Sequence, residues 1–204
     1  MPWYWILIIL SAIVGPFEAM HALNKARRNR EEAEKKRKAE EKERFMESIQ
    51  IRRAERKDIP RILALLHQVL EVHAKIRPDI FIAGTTKYSA EELEEILQNE
   101  QTPVYAAVNG DGMLVGYAFC QLRSQPFSST MVPFTSFYID DLCVDEAYRG
   151  NHIGKALIEH VRAEAKRAGC YEITLNVWEG NDSARRFYES MGFGIKETQM
   201  EQIL

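Results

Sequence analysis

The stretch Asp140-Asp141-Leu142-Cys143-Val144-Asp145-Glu146-Ala147-Tyr148-Arg149-Gly150-Asn151-His152-Ile153-Gly154-Lys155-Ala156 decides the fold. Phe137, Tyr138, Ile139, Leu142, Cys143 and Val144 form a β-prone apolar run broken only by two aspartates, which reads as a buried strand ending at Asp145. Past Gly154, the apolar positions Ala156, Leu157, Val161 and Ala165 recur at helical spacing up to Gly169, which reads as an amphipathic helix with a glycine stop. The local order is therefore strand, glycine-containing turn, helix. The first amides of such a helix have no carbonyl partners inside it and carry the positive end of its dipole, so they can bind a phosphate or pyrophosphate. Arg149 and Lys155 add formal positive charge at the same place.

Spacing separates the phosphate-binding motifs that could fit. A Walker loop needs four residues between its first glycine and the Gly-Lys pair, then Ser or Thr; here Gly150 and Gly154 enclose three residues, and Ala156 cannot ligate magnesium. The dinucleotide pattern Gly-x-Gly-x-x-Gly is absent as well. The stretch resembles the acetyl-CoA loop of the GNAT superfamily of N-acetyltransferases, Arg/Gln-x-x-Gly-x-Gly/Ala, at Arg149, Gly150, Asn151, His152, Ile153 and Gly154. His152 departs from it, standing where that family usually has a glycine. A second motif, Thr174 to Phe193, resembles the family's next strand and helix, with Asn181, Ala184, Phe187, Tyr188, Gly192 and Phe193 in register. The resemblance covers residues 49–204.

It implies an α/β (α+β) fold of the acyl-CoA N-acyltransferase type: a mixed, mostly antiparallel sheet with a splayed parallel strand pair and flanking helices. It implies acetyl-CoA as cosubstrate, no metal, and an amine as acceptor. The cofactor-binding positions it marks are Leu142, Cys143, Val144, Arg149, Gly150, Asn151, His152, Ile153, Gly154, Lys155 and Asn181. Tyr188 occupies the family's general-acid position, where a hydrogen bond to the departing sulfur is expected. Asn181 is expected to hold the pantetheine arm, and a backbone amide near Val144 to meet the thioester carbonyl.

An alkyl amine has a pKa of about 10.4, so it arrives charged and must lose a proton before it attacks. Asp140 is the first candidate base, because strand alternation puts it on the face of Leu142 and Val144; Asp141 points the other way unless a bulge intervenes. Cys143 reads as a core thiol, with no base placed to activate it. The function expected is direct transfer of acetyl to a primary amine, small or protein-borne, in a ternary complex. The alternative is a noncatalytic acetyl-CoA sensor or interaction module tethered at the membrane.

Three cysteines, Cys120, Cys143 and Cys170, are odd in number and too far apart for zinc pairs, which indicates a reduced compartment. Residues 24–46 hold more Lys and Arg than Asp and Glu, whereas residues 47–204 hold the opposite excess. An acidic domain argues against nucleic acid as a partner.

Trp3 to Phe17 is almost wholly apolar. As a helix it covers about 22 Å against a hydrocarbon core of roughly 30 Å, so it spans only if the flank to Leu23 contributes or the bilayer thins. Trp3, Tyr4 and Trp5 suit an interface, and Lys25, Arg27, Arg28 and Arg30 place the downstream side in the cytoplasm by the positive-inside rule. The expectation is a membrane anchor over 1–23, a charged helical linker over 24–48 and an acetyltransferase domain over 49–204. A single-pass cell-membrane location with the domain facing the cytoplasm follows, a cytoplasmic protein being the alternative, and a homodimer is a further expected partner state.

Within the domain, Ile49 to Ala54 alternates as a first strand. Asp58 and Pro60 open a helix, and Ser89 to Glu92 is a capping box for a second. Their connection puts Arg77, Phe81 and Tyr88 near the acceptor by resemblance, while His67 and His73 read as exposed or rim residues. Val104–Val108 and Met113–Leu122 form a hairpin around Asn109-Gly110-Asp111-Gly112. Gln125 to Pro133 reads as a mobile loop. Cys170 to Trp178 reads as a strand, Ser183 to Met191 as the last helix, and Phe193 to Leu204 as a closing strand or two.

Overall fold

The computed structural model describes residues 4–124 and 129–204, with side chains from Met20 onward apart from Ala22. The chain divides into two compact units, residues 1–47 and 48–204. The described residues of the first form one helix, α1 (Tyr4–Glu47). Its charged part is exposed and laced by i,i+4 ion pairs such as Glu34–Lys38 at 2.6 Å and Arg27–Glu31 at 2.9 Å. Such pairs stabilise a helix that buries no apolar face.

The expected membrane anchor over residues 1–23 does not hold. Among the described residues no helix is long and apolar enough to cross a membrane. The apolar part of α1 is too short for a hydrocarbon core and runs on into the charged part without a break. The side chains of residues 1–19, including the Trp3–Tyr4–Trp5 cluster, lie outside the described residues. The single-pass membrane location and the membrane contact fall with the anchor. The expected homodimer finds no support among the described residues.

The second unit begins with β1 (Gln50–Arg53), then a 3-10 turn at Arg56–Asp58, α2 (Ile59–Ile76) and α3 (Ala90–Gln98). β2 (Val104–Val108), β3 (Leu114–Ser124) and β4 (Thr135–Val144) follow. Then come α4 (Ile153–Arg167), β5 (Glu172–Leu175) and α5 (Asp182–Ser190). The sheet order is β1-β2-β3-β4-β5, antiparallel throughout except for the parallel pair β4·β5. This is the GNAT-type fold that the two motifs imply.

Alternation assigns the faces. Val104, Ala106 and Val108 pack with Ile62, Leu65, Leu66 and Leu93 under α2 and α3. The ring of Tyr105 turns the other way and meets His160 of α4 at 4.7 Å. The amphipathic face of α4 buries Ile153, Leu157, Ile158, Val161 and Ala165. Both faces of the central strands are thus covered, which is why β2 and β3 read as near-continuous apolar runs.

Two local expectations change. Asp58 does not cap α2 with its side chain; its Oδ2 instead accepts the Glu55 amide at 2.8 Å and the Arg52 guanidinium at 2.6 Å. Residues 193–204 form no strand, and the tail is held by Lys196–Glu172 at 2.5 Å and Arg77–Glu201 at 2.6 Å. Of the expected loop over Gln125–Pro133, residues 125–128 lie outside the described residues, and residues 129–133 are exposed.

Candidate active site

β4 and β5 pair from Ser136↔Glu172 to Ile139↔Leu175 and no further, so the two strands part just where the acids of β4 begin. At the same point the register between β3 and β4 shifts. Phe119 faces Asp141 and Cys120 faces Ile139, leaving Asp140 opposite no residue of β3. This is a β-bulge, and bulges re-aim side chains. Asp140 does not share the face of Leu142 and Val144, as simple alternation predicts. It turns to the α2/α3 face, where its Oδ2 accepts from Lys87 Nζ at 2.6 Å and from the Tyr88 hydroxyl at 3.3 Å. Asp141 lies on that face too, its Oδ2 accepting from the Tyr117 hydroxyl at 3.0 Å.

The two carboxylates differ in environment. Asp140 has a cation against it. Asp141 is pushed up to about 6, chiefly by burial, with the charge of Asp140 adding to the rise while Lys87 and the Tyr117 hydroxyl oppose it. Tyr117 is buried, and its phenol is driven well above the usual range by burial and then by the charge of Asp141. Tyr188, on α5, is raised by the same two causes in the same order. Asp141 thus contacts one phenol, Tyr117, and its charge acts on a second, Tyr188, both held in their neutral, proton-bearing form.

On the opposite side of β4, the turn into α4 forms from Gly150, with φ 79°, and His152, with φ 57°. Left-handed backbone disfavours most side chains, which explains a glycine preference at the middle position; His is among the residues that tolerate it. His152 makes no side-chain cap on α4, and the first intrahelical bond runs from the Ala156 amide to the His152 carbonyl. The amides of Ile153, Gly154 and Lys155 thus form an uncapped first turn, a cradle that fits a pyrophosphate. Gly154 packs closely, since a Cβ there would lie 3.1 Å from Phe187 Cζ, tight enough that the ring would have to shift, and 3.8 Å from Val144 Cγ2. That contact joins the two sequence motifs in space.

The remaining cofactor positions divide. Leu142 and Val144 are half-buried, Ile153 is core, and the Asn151 amide donates to the Tyr148 carbonyl at 3.1 Å. Cys143 is buried, its thiol on the Leu65 carbonyl at 3.7 Å and pushed up to about 12 by burial first, so it is a packed thiol. Arg149 Nε donates back to the Val144 carbonyl at 3.1 Å, and Lys155 lies 3.8 Å from Glu159 on an exposed face. These two cations are thus engaged within the chain. Asn181 Oδ1 caps α5 by accepting the Ala184 amide at 3.2 Å, which leaves its NH₂ for another partner.

Of the expected acceptor-side residues, Tyr88 reaches the acid pair. Arg77 instead forms ion pairs with Asp79 and Glu201 and lies over Trp178 at 5.7 Å. Phe81 packs between His73, at 5.1 Å, and Trp178, at 5.3 Å. His73 is half-buried and its pKa is lowered by burial and then by the charge of Lys87. Sequence reasoning missed Lys87 and Tyr117, since neither lies in a motif. Among the described residues no group of three or more His, Cys, Asp or Glu could hold a metal.

The family model described as "Acetyltransferase (GNAT) family" matches residues 66–193. A mutant of the BH1408 protein from Bacillus halodurans is 32% identical, with a TM-score of 0.73 over 76% of this chain and 99% of that one. Glucosamine 6-phosphate N-acetyltransferase of Trypanosoma brucei brucei is 38% identical over 63 residues, which is 31% of this chain and 41% of that protein. Peptidyl-lysine N-acetyltransferase YjaB of Escherichia coli (strain K12) is 31% identical over 106 residues, 51% of this chain and 59% of that protein. The chain thus spans about two fifths of the length of the first curated relatives it matches.

Proposed function

Since this chain belongs to the acetyltransferase (GNAT) family, we propose that it transfers the acetyl group of acetyl-CoA directly to a primary amine bound beside Asp140 and Asp141. The carrying observation is the pair of carboxylates at the bulge where β4 and β5 part, Asp140 on Lys87 and Asp141 on the Tyr117 hydroxyl, with burial pushing Asp141 up to about 6. The relatives named above are called N-acetyltransferases of a sugar amine and of peptide lysine, which supports the amine as acceptor class.

Acetyl-CoA supplies the activated acyl carbon as a thioester. The Ile153–Lys155 amides bind its pyrophosphate, and the NH₂ of Asn181 orients the arm. Asp141 takes the proton of the incoming ammonium. From an ordinary carboxylate to one near 6, the gap to an alkyl ammonium narrows by about 3 kcal/mol. Base duty thus passes from Asp140, neutralised by Lys87, to its neighbour. The Tyr188 hydroxyl, kept protonated by burial, donates to the leaving sulfur. The amide at Val144 is the proposed donor to the thioester oxygen.

Incubating the full chain with acetyl-CoA and a panel of amines while following free thiol tests this. Acceptor-dependent thiol release is expected, with a rate that rises through pH about 6 and loses that limb in Asp141→Asn. A second reading, a noncatalytic acetyl-CoA sensor, is favoured by one observation: a lysine of the chain itself already holds Asp140. Saturable acetyl-CoA binding with no thiol release for any amine would establish it.

A further inference from the structure

Lys87 stands on the exposed segment ahead of α3, yet its ammonium reaches inward to the acids of β4. It lies 2.6 Å from Asp140 Oδ2 and 5.3 Å from the centre of the Tyr88 ring, and it feels the charge of Asp141. Burial opposes its charge most strongly, but the hydrogen bond to Asp140 and the charges of Asp140, Tyr88 and Asp141 together outweigh it, so the group is held as an ammonium. The lysines at 57, 155 and 196 pair instead with Glu55, Glu159 and Glu172. Lys87 thus presents to the site pair the group an amine substrate would present: a primary alkyl ammonium on a flexible stem.

We propose that Lys87 is itself an acetyl acceptor of this site, modified from acetyl-CoA when no amine substrate is bound; the inference rests on the amine-acetyltransferase reading above. Lys87 Nζ gives one proton to the acid pair, whose Asp140 Oδ2 it contacts at 2.6 Å, and the freed lone pair forms a C–N bond with the thioester carbonyl carbon. The C–S bond breaks, and the sulfur leaves with its electron pair and takes a proton to become the CoA thiol. Nζ loses two protons in all, one ending on sulfur and one passing from the acid pair to water. The products are an acetyl-lysine and free CoA. No co-reactant other than acetyl-CoA is needed. The amide is neutral, so modification also takes the cation away from Asp140.

The test is peptide mass spectrometry of the full chain incubated with acetyl-CoA bearing a heavy-isotope acetyl group, without and with the amine panel. One heavy acetyl per chain at Lys87 is expected, slowed by added amine and slowed about a hundredfold or more in Asp141→Asn. Lys87→Arg should lose the label without gaining it at another lysine, while still binding acetyl-CoA. Label spread over exposed lysines and equally fast in Asp141→Asn is solution chemistry and overturns the proposal. No label at Lys87 while panel amines are acetylated overturns the proposal and leaves the acetyltransferase reading standing. Neither label nor turnover, with acetyl-CoA bound, removes both.

Discussion

Replacing Asp141 by Asn should make the fold more stable while disabling the site. A carboxyl with a pKa near 6 in the folded chain and 3.8 outside it opposes folding once ionised. The unfolded chain releases its proton near pH 4 and the folded chain only near pH 6. Stability attributable to Asp141 is therefore full below pH about 4, falls between about 4 and 6, and stays reduced above that. A displacement of this size corresponds to about 2 to 3 kcal/mol at neutral pH. Asn removes the ionisation while its carbonyl can still accept the Tyr117 hydroxyl, so little is lost in exchange. The assay is denaturant unfolding of the full chain and of the variant at a series of pH values, read as the difference between them. The two should agree near pH 4, and the variant should exceed the parent by about 2 to 3 kcal/mol at pH 8, or several degrees in melting temperature. A gap that does not change with pH, or a variant no more stable than the parent at pH 8, would refute the claim that burial strains this carboxylate.

Further outcomes follow from the same geometry. Tyr188→Phe should lower the chemical step about a hundredfold and leave acetyl-CoA affinity nearly unchanged, read as kcat against binding; loss of binding instead would mean the phenol holds the cofactor. Gly154→Ala forces a methyl to 3.1 Å from Phe187, so it should cost about 1–3 kcal/mol in denaturant unfolding and weaken acetyl-CoA binding together. Asp58→Ala strips the carboxylate from the half-buried Arg52 and should cost about 3 kcal/mol at neutral pH. Burial raises Asp58, but Arg52 and the Glu55 amide outweigh it and hold it low. That contribution is present above pH about 4 and fades as acid protonates the group, so the gap between parent and variant should close there.

Much of the fold is legible in the sequence alone. The α4 pattern between Gly154 and Gly169, the Ser89–Glu92 capping box and the Asn109–Gly112 turn are codes read within a few residues, and each appears where expected. The membrane anchor failed because the apolar run falls short of a hydrocarbon core and the flank to Leu23, with Glu18 and His21 in it, does not make up the length. The closing strands failed because strand pairing needs a neighbour, and the tail finds ion pairs with Glu172 and Arg77 instead.

What the sequence determined alone was the strand–turn–helix with its uncapped amides and the second motif carrying Asn181 and Tyr188, because glycine placement and helical period are local properties. Which acid could serve as base was decided only in three dimensions. The bulge that turns Asp140 onto the face of Asp141 is a mismatch of register between β3 and β4, and Lys87 and Tyr117 arrive from elements far away in the chain. Burial and charge at a carboxylate depend on what the whole fold packs around it, so two adjacent aspartates with the same letters acquire different chemistry.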